Sequence, residues 1–527
     1  MSSSPSDEPV LQLTSLPDVL VLHALGFVDP ATLARCLAVS TKWSSLVRDD
    51  ALWKSVCAEW FGLGACTFPA SSANGGPATF IAAAACWSQL RAALGLPNEP
   101  CPRLAPLHLA ATEAWGRISS WAQVHLPEAH DSIGPGASCH EWNEFLQQVD
   151  LDDEPDAAGL LPLRLLSSVH DGQHLSTDAR TAAENGEVED EELADALDDM
   201  SLEIDGDVGR QCFLGLLGGY SAYDTLVSVR PFPLVLIATW TLFFRRQWGP
   251  PTAPLGMPKH WLVVAGSFNL KKLLFYDVGT GELWIGPCAR APPGGRSVRR
   301  QTRVPVLRAV PESRADGADL LGWFGELGAR LAGGDYVAEE LVPLDPASRG
   351  LSLFPRAPPK LSSATSRGIR IVASALYCPE LGMFTYSIRI ALLGAGDPAH
   401  VPEAARGFRT AQLRSRRWII TQLDGTPEHV SGDGVVGRFP LLREGGWTEE
   451  AQTGPSLDSV RPDPYPGPES EKEGVFIYQS MSGRGPVASF EGEVTFVPGS
   501  LKEPAGEPFT VPVARFPLTC GVNEFIF

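Results

Sequence analysis

The spacing of apolar residues divides the chain into three stretches. From residue 11 to 60 the spacing is helical. Ser15 and Asp18, with Pro17 in the first turn, give a capping-box-like start to a helix carrying Leu20, Leu22 and Leu25. Asp29 and Pro30 start a second helix, on which Leu33, Cys36 and Leu37 share a face. Leu52, Trp53, Val56, Cys57 and Trp60 mark a third. A core built from three short helices is marginal alone, so any apolar face left over needs a partner. Residues 61–107 mix Ala, Gly and Pro and read as a helical linker, with a helix over 78–95.

Residues 108–290 read as mixed α and β. "HEWNEFLQQ" is helical, and "LPLRLLSSVHDGQ" is a helix ending in a turn. The segment from Trp261 to Gly286 reads as a β-hairpin, with apolar strands flanking "DVGTGE". Residues 291–364 read as a linker, rich in Pro, Gly and Arg at its start, around an amphipathic helix at 316–332. Leu320, Leu321, Phe324, Leu327 and Leu331 form that helix's apolar face. From 365 to 520 the period becomes two. Phe384, Tyr386, Ile388 and Ile390 point one way, while Thr385, Ser387 and Arg389 point the other. Short runs of this kind, separated by Gly, Pro and Asp turns, predict an all-β sandwich of seven or eight strands. The fold class is therefore multidomain α+β.

Charge narrows the partners. The net charge is -20, which disfavours wholesale binding to nucleic-acid phosphates or an anionic membrane surface. More than half of it comes from 181–209, where twelve residues are Asp or Glu and none is Lys or Arg. This stretch reads as a disordered acidic insertion, or as a docking site for a basic partner. The longest apolar run, Phe232 to Phe244, is 13 residues, short of the roughly 20 that span a bilayer. "MSSSPSDEPV" is no secretory signal, and ten scattered cysteines without a C-x-x-C pair suit reduced thiols in cytoplasm or nucleus.

Candidate chemistry is sparse. Gly432, Gly434 and Gly437 form a literal G-x-G-x-x-G. A dinucleotide fingerprint needs a helix directly after it, but "RFPLLREGG" follows, so a strand-to-strand turn explains the glycines better. Arg414, Arg416 and Arg417 are either a patch for an acidic peptide or a solvated strand face. His170, Asp171 and His174 could be drawn as a metal cluster, but Gly172 marks a helix stop and a third ligand is missing. Cys139-His140 are chain neighbours and do not face each other as a nucleophile pair does. Cys57 and Cys378 lie in apolar patterns and read as core. No catalytic residue, cofactor or metal is expected.

Two stretches carry specific resemblances. "LTSLPDVLVLHALGFVDPATLARCLAVSTKWSSLVRDDALWKSVCAEWF" resembles an F-box in its Leu16-Pro17 start, Asp29-Pro30 turn, Val39-Ser40, Trp43 and Trp53, with Leu25-Gly26-Phe27 replacing the usual Ile-Phe. "QLRSRRWIITQLDGTPEHVSGDGVVGRFPLL", between "FTYSIRI" and "FEGEVTFVPGSL", resembles an ApaG domain on a fibronectin-III-like sandwich, with an extra polar stretch over 446–474. "LLPLRLLSSVHDGQ", "GLLGGYSAYD" and Trp261–Gly286 look like a SUKH domain, a protein-binding fold. The order F-box, SUKH, ApaG is that of a family of Skp-interacting F-box proteins. The resemblance implies a non-catalytic substrate receptor of a Skp–cullin–F-box (SCF) ubiquitin ligase. Leu16, Pro17, Leu20, Leu33, Leu37, Val39 and Trp43 would then meet the Skp adaptor, which brings cullin and RING subunits, and the other domains would hold a target. The alternative is a sandwich that binds a phosphorylated small molecule outside any ligase.

Polar insertions bury little apolar area, and loop closure depends only weakly on length. Deleting 181–209 is expected to lower the melting temperature by less than about 5 °C. Differential scanning calorimetry checks this, and a larger fall would show that the acidic stretch packs against the folded chain.

Overall fold

The computed structural model describes residues 16–69, 79–152, 159–173, 213–222, 225–248, 256–286, 307–311, 318–343, 345–449, 472–481, 487–518 and 524–527. The acidic stretch 181–209, Ser15 and His174 lie outside these residues.

The N-terminal stretch forms four helices: α1 (Asp18–Leu25), α2 (Pro30–Cys36), α3 (Thr41–Val47) and α4 (Asp50–Phe61). The Asp29 side chain accepts the Thr32 N–H at 2.9 Å and Pro30 opens α2, as the sequence predicts. Ser40 caps α3 in the same way through the Trp43 N–H. α3 is no shorter than α2 but buries only Val47, so it shows no apolar face of its own, which is why the spacing suggests three helices. Gly62 ends α4 at φ 76°, and a Cβ there would lie 1.8 Å from the Pro102 carbonyl oxygen. Only glycine meets both demands. α5 (Phe80–Ala93) buries Ala83, Ala84 and Trp87 in the same core as α4. The described residues of 61–107 therefore belong to a packed unit rather than a linker.

Next come α6 (Leu104–His125), α7 (Pro127–Asp131), α8 (Cys139–Gln148) and α9 (Leu160–Val169). Ser138 and Glu141 form a reciprocal capping box on α8. The central sheet has eight strands in the order β6-β5-β4-β3-β2-β1-β8-β7. These are β1 (Gly219–Ala222), β2 (Thr225–Pro231), β3 (Trp261–Ser267), β4 (Leu273–Asp277), β5 (Glu282–Gly286), β6 (Leu307–Arg308), β7 (Val337–Glu340) and β8 (Arg349–Ser352). Only β1 and β8 pair in parallel. Alternate residues serve opposite faces. Val263, Leu273 and Phe275 pack on Phe243 and Phe244 of α10 (Leu234–Trp248). Leu262, Val264, Leu274 and Tyr276 join the main core with α6, α9 and α11 (Asp319–Gly333). The span expected as a linker at 291–364 thus supplies α11 and three strands. Those strands are two to four residues long, too short to register as an alternation.

The C-terminal stretch is a sandwich. One sheet has the order β17-β11-β10-β9, from β9 (Leu361–Ser366), β10 (Ile369–Cys378), β11 (Met383–Leu392) and β17 (Phe476–Met481). The other runs β16-β15-β14-β12-β18-β19, with β13 also paired to β12. Its strands are β12 (Ala411–Gln422), β13 (Pro427–Asp433), β14 (Pro440–Arg443), β15 (Gly446–Glu449), β16 (Lys472–Glu473), β18 (Val487–Pro498) and β19 (Phe509–Pro517). Ile371, Ile388 and Ile390 face Trp418, Phe490 and Phe496 in a second core. α12 (Glu403–Arg406) is a single turn at the edge. A polar seam joins sandwich to central sheet. Glu339 on β7 takes Arg389 of β11 at 2.9 Å and also pairs Arg356, while Ser221 of β1 donates to Gln479 of β17 at 3.1 Å.

His170, directly after α9, joins the helices. Its ring stacks on Trp115 of α6 with centroids 3.6 Å apart and lies 6.2 Å from Phe324 of α11. Its Nδ1 accepts the Gly172 N–H at 3.0 Å. His170 also lines a cavity of about 30 Å³ with Leu166, Leu234, Leu320 and Phe324. Burial pushes its pKa down to about 3. The folded state therefore stays neutral where the unfolded chain, with a pKa near 6.5, takes a proton. Stability falls as pH drops below about 6.5. The expected loss is about 2 kcal/mol between pH 8 and pH 5, beyond any loss shown by His170→Phe. Denaturant unfolding of both proteins at the two pH values measures it.

Candidate functional site

The N-terminal helices expose apolar side chains that a packed domain normally covers. Val19 is 76% exposed, Leu20 52%, Phe27 72% and Val39 62%. The backbone beneath them is held firmly. Lys42 reaches Asp18 at 3.0 Å, Trp53 donates its indole N–H to the Val47 carbonyl at 2.6 Å, and Asp49 caps α4 through the Ala51 N–H. Val21, Leu25, Leu33, Val47 and Val56 fill the core below. Several large apolar side chains are thus left in water on and between these short helices.

The second candidate surface is the glycine turn of the sandwich. β13 runs into Gly434 (φ 58°), Val435, Val436 (φ 50°) and Gly437 (φ 76°) before β14. Val435 and Arg438 exchange backbone hydrogen bonds at 2.9 Å, closing a tight turn. The Gly434 N–H donates to the Arg414 carbonyl at 2.8 Å. Arg416 Nη1 donates to the carbonyls of Gly434 at 2.7 Å and Asp433 at 3.3 Å. Gly432 lies within β13, paired with Arg416 across the ladder. Strands, not a helix, follow the glycines, and Arg416 binds the turn's own carbonyls. Arg417 points to the other side of β12, 3.8 Å from Glu493 across to β18. Arg414, Arg416 and Arg417 therefore form no single cluster.

The F-box-like family matches residues 13–59, and the ApaG domain family matches 380–449. F-box protein SKIP16 from Arabidopsis thaliana is 26% identical over 529 residues, covering 96% of this chain and 98% of that one. Protein ApaG from Anaeromyxobacter sp. is 39% identical over 90 residues, 16% of this chain and 62% of the bacterial protein. Human F-box only protein 3 is 38% identical over 89 residues, 16% of this chain and 17% of its own. The chain is an F-box protein with a C-terminal ApaG domain.

Within the F-box, the structure separates the residues that the sequence grouped. Pro17, Leu20 and Val39 are exposed, and Leu16, Leu37 and Trp43 are half-buried. Leu33 is fully buried and belongs to the supporting core. Val19 and Phe27 are exposed as well, and neither is among the residues that the resemblance assigns to the adaptor. The other tempting groups have local structural partners or are buried. Asp171 caps α10 by accepting the Leu234 N–H at 3.0 Å. Cys57 and Cys378 are fully buried, and burial pushes both thiols up to about 12. His140 pairs with Glu144 at 3.4 Å rather than with Cys139. Among the described residues no group of three His, Cys, Asp or Glu side chains could hold a metal.

In the ApaG domain the glycines serve the turn. A Cβ on Gly434 would lie 2.6 Å from the Arg438 carbonyl oxygen and 2.9 Å from the Phe439 ring, at a φ that valine resists. Gly434→Val is expected to destabilise the sandwich by about 1–3 kcal/mol while leaving the F-box helices folded. Chemical denaturation followed through Trp418 and Trp447, buried in the sandwich core, reads the loss directly.

Proposed function

We propose that the chain is the substrate-recognition subunit of an SCF-type ubiquitin ligase. F-box proteins are generally non-catalytic ligase adaptors, and this reading gives the chain no chemistry of its own. The exposed apolar face of α1–α3 carries the proposal. The exposed Leu20 and Val39, together with Pro17, Val19 and Phe27, would supply the few large anchors on which such interfaces depend. Leu16, Leu37 and Trp43 would be covered at the margin, and Leu33 would hold the scaffold. The adaptor would bring cullin and RING subunits. The central SUKH-like region and the ApaG sandwich would hold the target protein, with activity in the cytoplasm or nucleus. No described helix is long and apolar enough to cross a membrane, and nucleic acid is not among the proposed partners.

Because Leu20 and Val39 are exposed, replacing them leaves the core intact. Leu20→Asp with Val39→Asp is expected to weaken Skp capture at least tenfold, given about 2 kcal/mol or more for a central anchor, without shifting the melting temperature. Co-purification of Skp and cullin with the full chain is the measurement. Undiminished capture would point to a function outside a ligase.

A further inference from the structure

Glu524–Phe527 crosses from the sandwich to the central domain and is bound there in the manner of a peptide ligand. The Ile526 N–H donates to the Ala309 carbonyl at 3.0 Å, and the Ile526 carbonyl accepts the Trp323 indole N–H at 2.7 Å. Lys272 Nζ donates to the Phe527 main-chain oxygen at 2.6 Å. The Phe527 ring packs 5.1 Å from Trp323 and 5.8 Å from Tyr336, beneath the Arg330 guanidinium at 4.8 Å. Ile526 and Phe527 are 8% and 7% exposed, and Phe525 stacks on Phe527.

Lys272 makes this more than apolar covering. It is fully buried, and its ammonium lies 5.4 Å from the Tyr220 ring. Among the described residues no carboxylate side chain pairs with it; its hydrogen-bond partner is the docked segment. A buried ammonium is strongly unfavourable without such a partner, and a hydrophobe of similar size would serve plain packing as well. The lysine therefore selects for an occupant that presents a main-chain oxygen at that point. Five residues of sequence separate Leu518, which still bonds within the sandwich, from Glu524, so the segment is a tethered occupant.

We propose that the cleft formed by Lys272, Ala309, Trp323, Arg330 and Tyr336 is a peptide-recognition site for an extended aromatic–aliphatic–aromatic segment. The chain's own Phe525–Phe527 fills it in cis, and a partner protein's segment of the same chemistry competes for it. This goes beyond the receptor reading and stands apart from adaptor binding. Tethering gives the chain's own segment an effective concentration on the order of millimolar, which suppresses binding in trans until it is displaced.

A fluorescein-labelled peptide of residues 521–527 tests the site by anisotropy against three full-length proteins: wild type, Ile526→Asp/Phe527→Asp, and the latter with Lys272→Met added. The doubly substituted chain is expected to bind at least tenfold more tightly than wild type, and Lys272→Met to remove at least tenfold of that affinity. Equal affinity for wild type and the doubly substituted chain, no binding to the latter, or indifference to Lys272→Met would overturn the proposal. A second measurement covers variants that fail to fold. In wild-type protein, amide exchange at residues 524–527 is expected to rise at least tenfold when unlabelled peptide is added to about 5 mM, a level comparable to a short tether's effective concentration. Unchanged exchange would overturn the proposal equally.

Discussion

His170 must stay uncharged for the helices and the central sheet to share one core. Its ring fills the space between Trp115 and Phe324, and its Nδ1 is committed to the Gly172 N–H. A protonated ring would have to give up that acceptor and place a charge among leucines and phenylalanines. The three aromatic groups come from α6, the end of α9 and α11. They therefore fix the three helices against one another. The chain just before α6 also reaches the F-box. The Cys101 N–H bonds the Trp60 carbonyl at 3.0 Å, and Gly62 lets the end of α4 come close to Pro102 just before α6 begins. The F-box is consequently joined to the central domain through packed structure, and its exposed face has a set direction.

The second joint works differently. Between central sheet and sandwich, Arg389 is 5% exposed and stands over Glu339, which Arg356 also reaches. Buried ion pairs contribute little net stability, because desolvation offsets most of their attraction. Their value lies in geometry, since a slipped interface would leave a guanidinium unpaired. Leu376 and Cys378 at the end of β10 cross into the main core, so the seam has an apolar floor beneath its charged contact. In the proposed receptor, a target held by the sandwich would thus be presented at a fixed orientation to whatever the F-box docks.

Sequence periodicity reported the elements that bury one clean face. α8, α9, α11 and the long strand β11 all show their period over ten or more residues, and their boundaries fall close to expectation. α6 shows no clean apolar period, because alanines and His108 fill most of its buried face and separate Leu104 from Trp115 and Ile118. α10 was weighed as a membrane segment, since Phe232 to Phe244 is apolar all round. It is apolar because one side meets the sheet at Phe244 and the other joins the main core through Leu234 and Ile237. The glycine turn was legible, because a helix requirement can be checked against a proline three residues on. Arg416 was not: nothing in "LRSRRW" says which arginine turns back onto the carbonyls of Asp433 and Gly434. The docked segment 524–527 was equally hidden, since contacts between residues 255 apart leave no local pattern.

Two buried cations in the central domain show how that distance matters. Arg164 on α9 donates to the carbonyls of Leu94 and Ala137 and lies over the Trp142 ring, all supplied by the helical region around it. Its partners arrive as soon as that region folds. Lys272 sits in the turn between β3 and β4, and burial pushes its pKa down to about 8. Its oxygen partner comes from beyond the last strand of the sandwich. Without that oxygen, Lys272 would be buried without an acceptor or drawn out toward water. Satisfying that one ammonium couples the central domain to the final residues of the chain, whose Ile526 and Phe527 side chains join the main core alongside it although they belong to none of its strands.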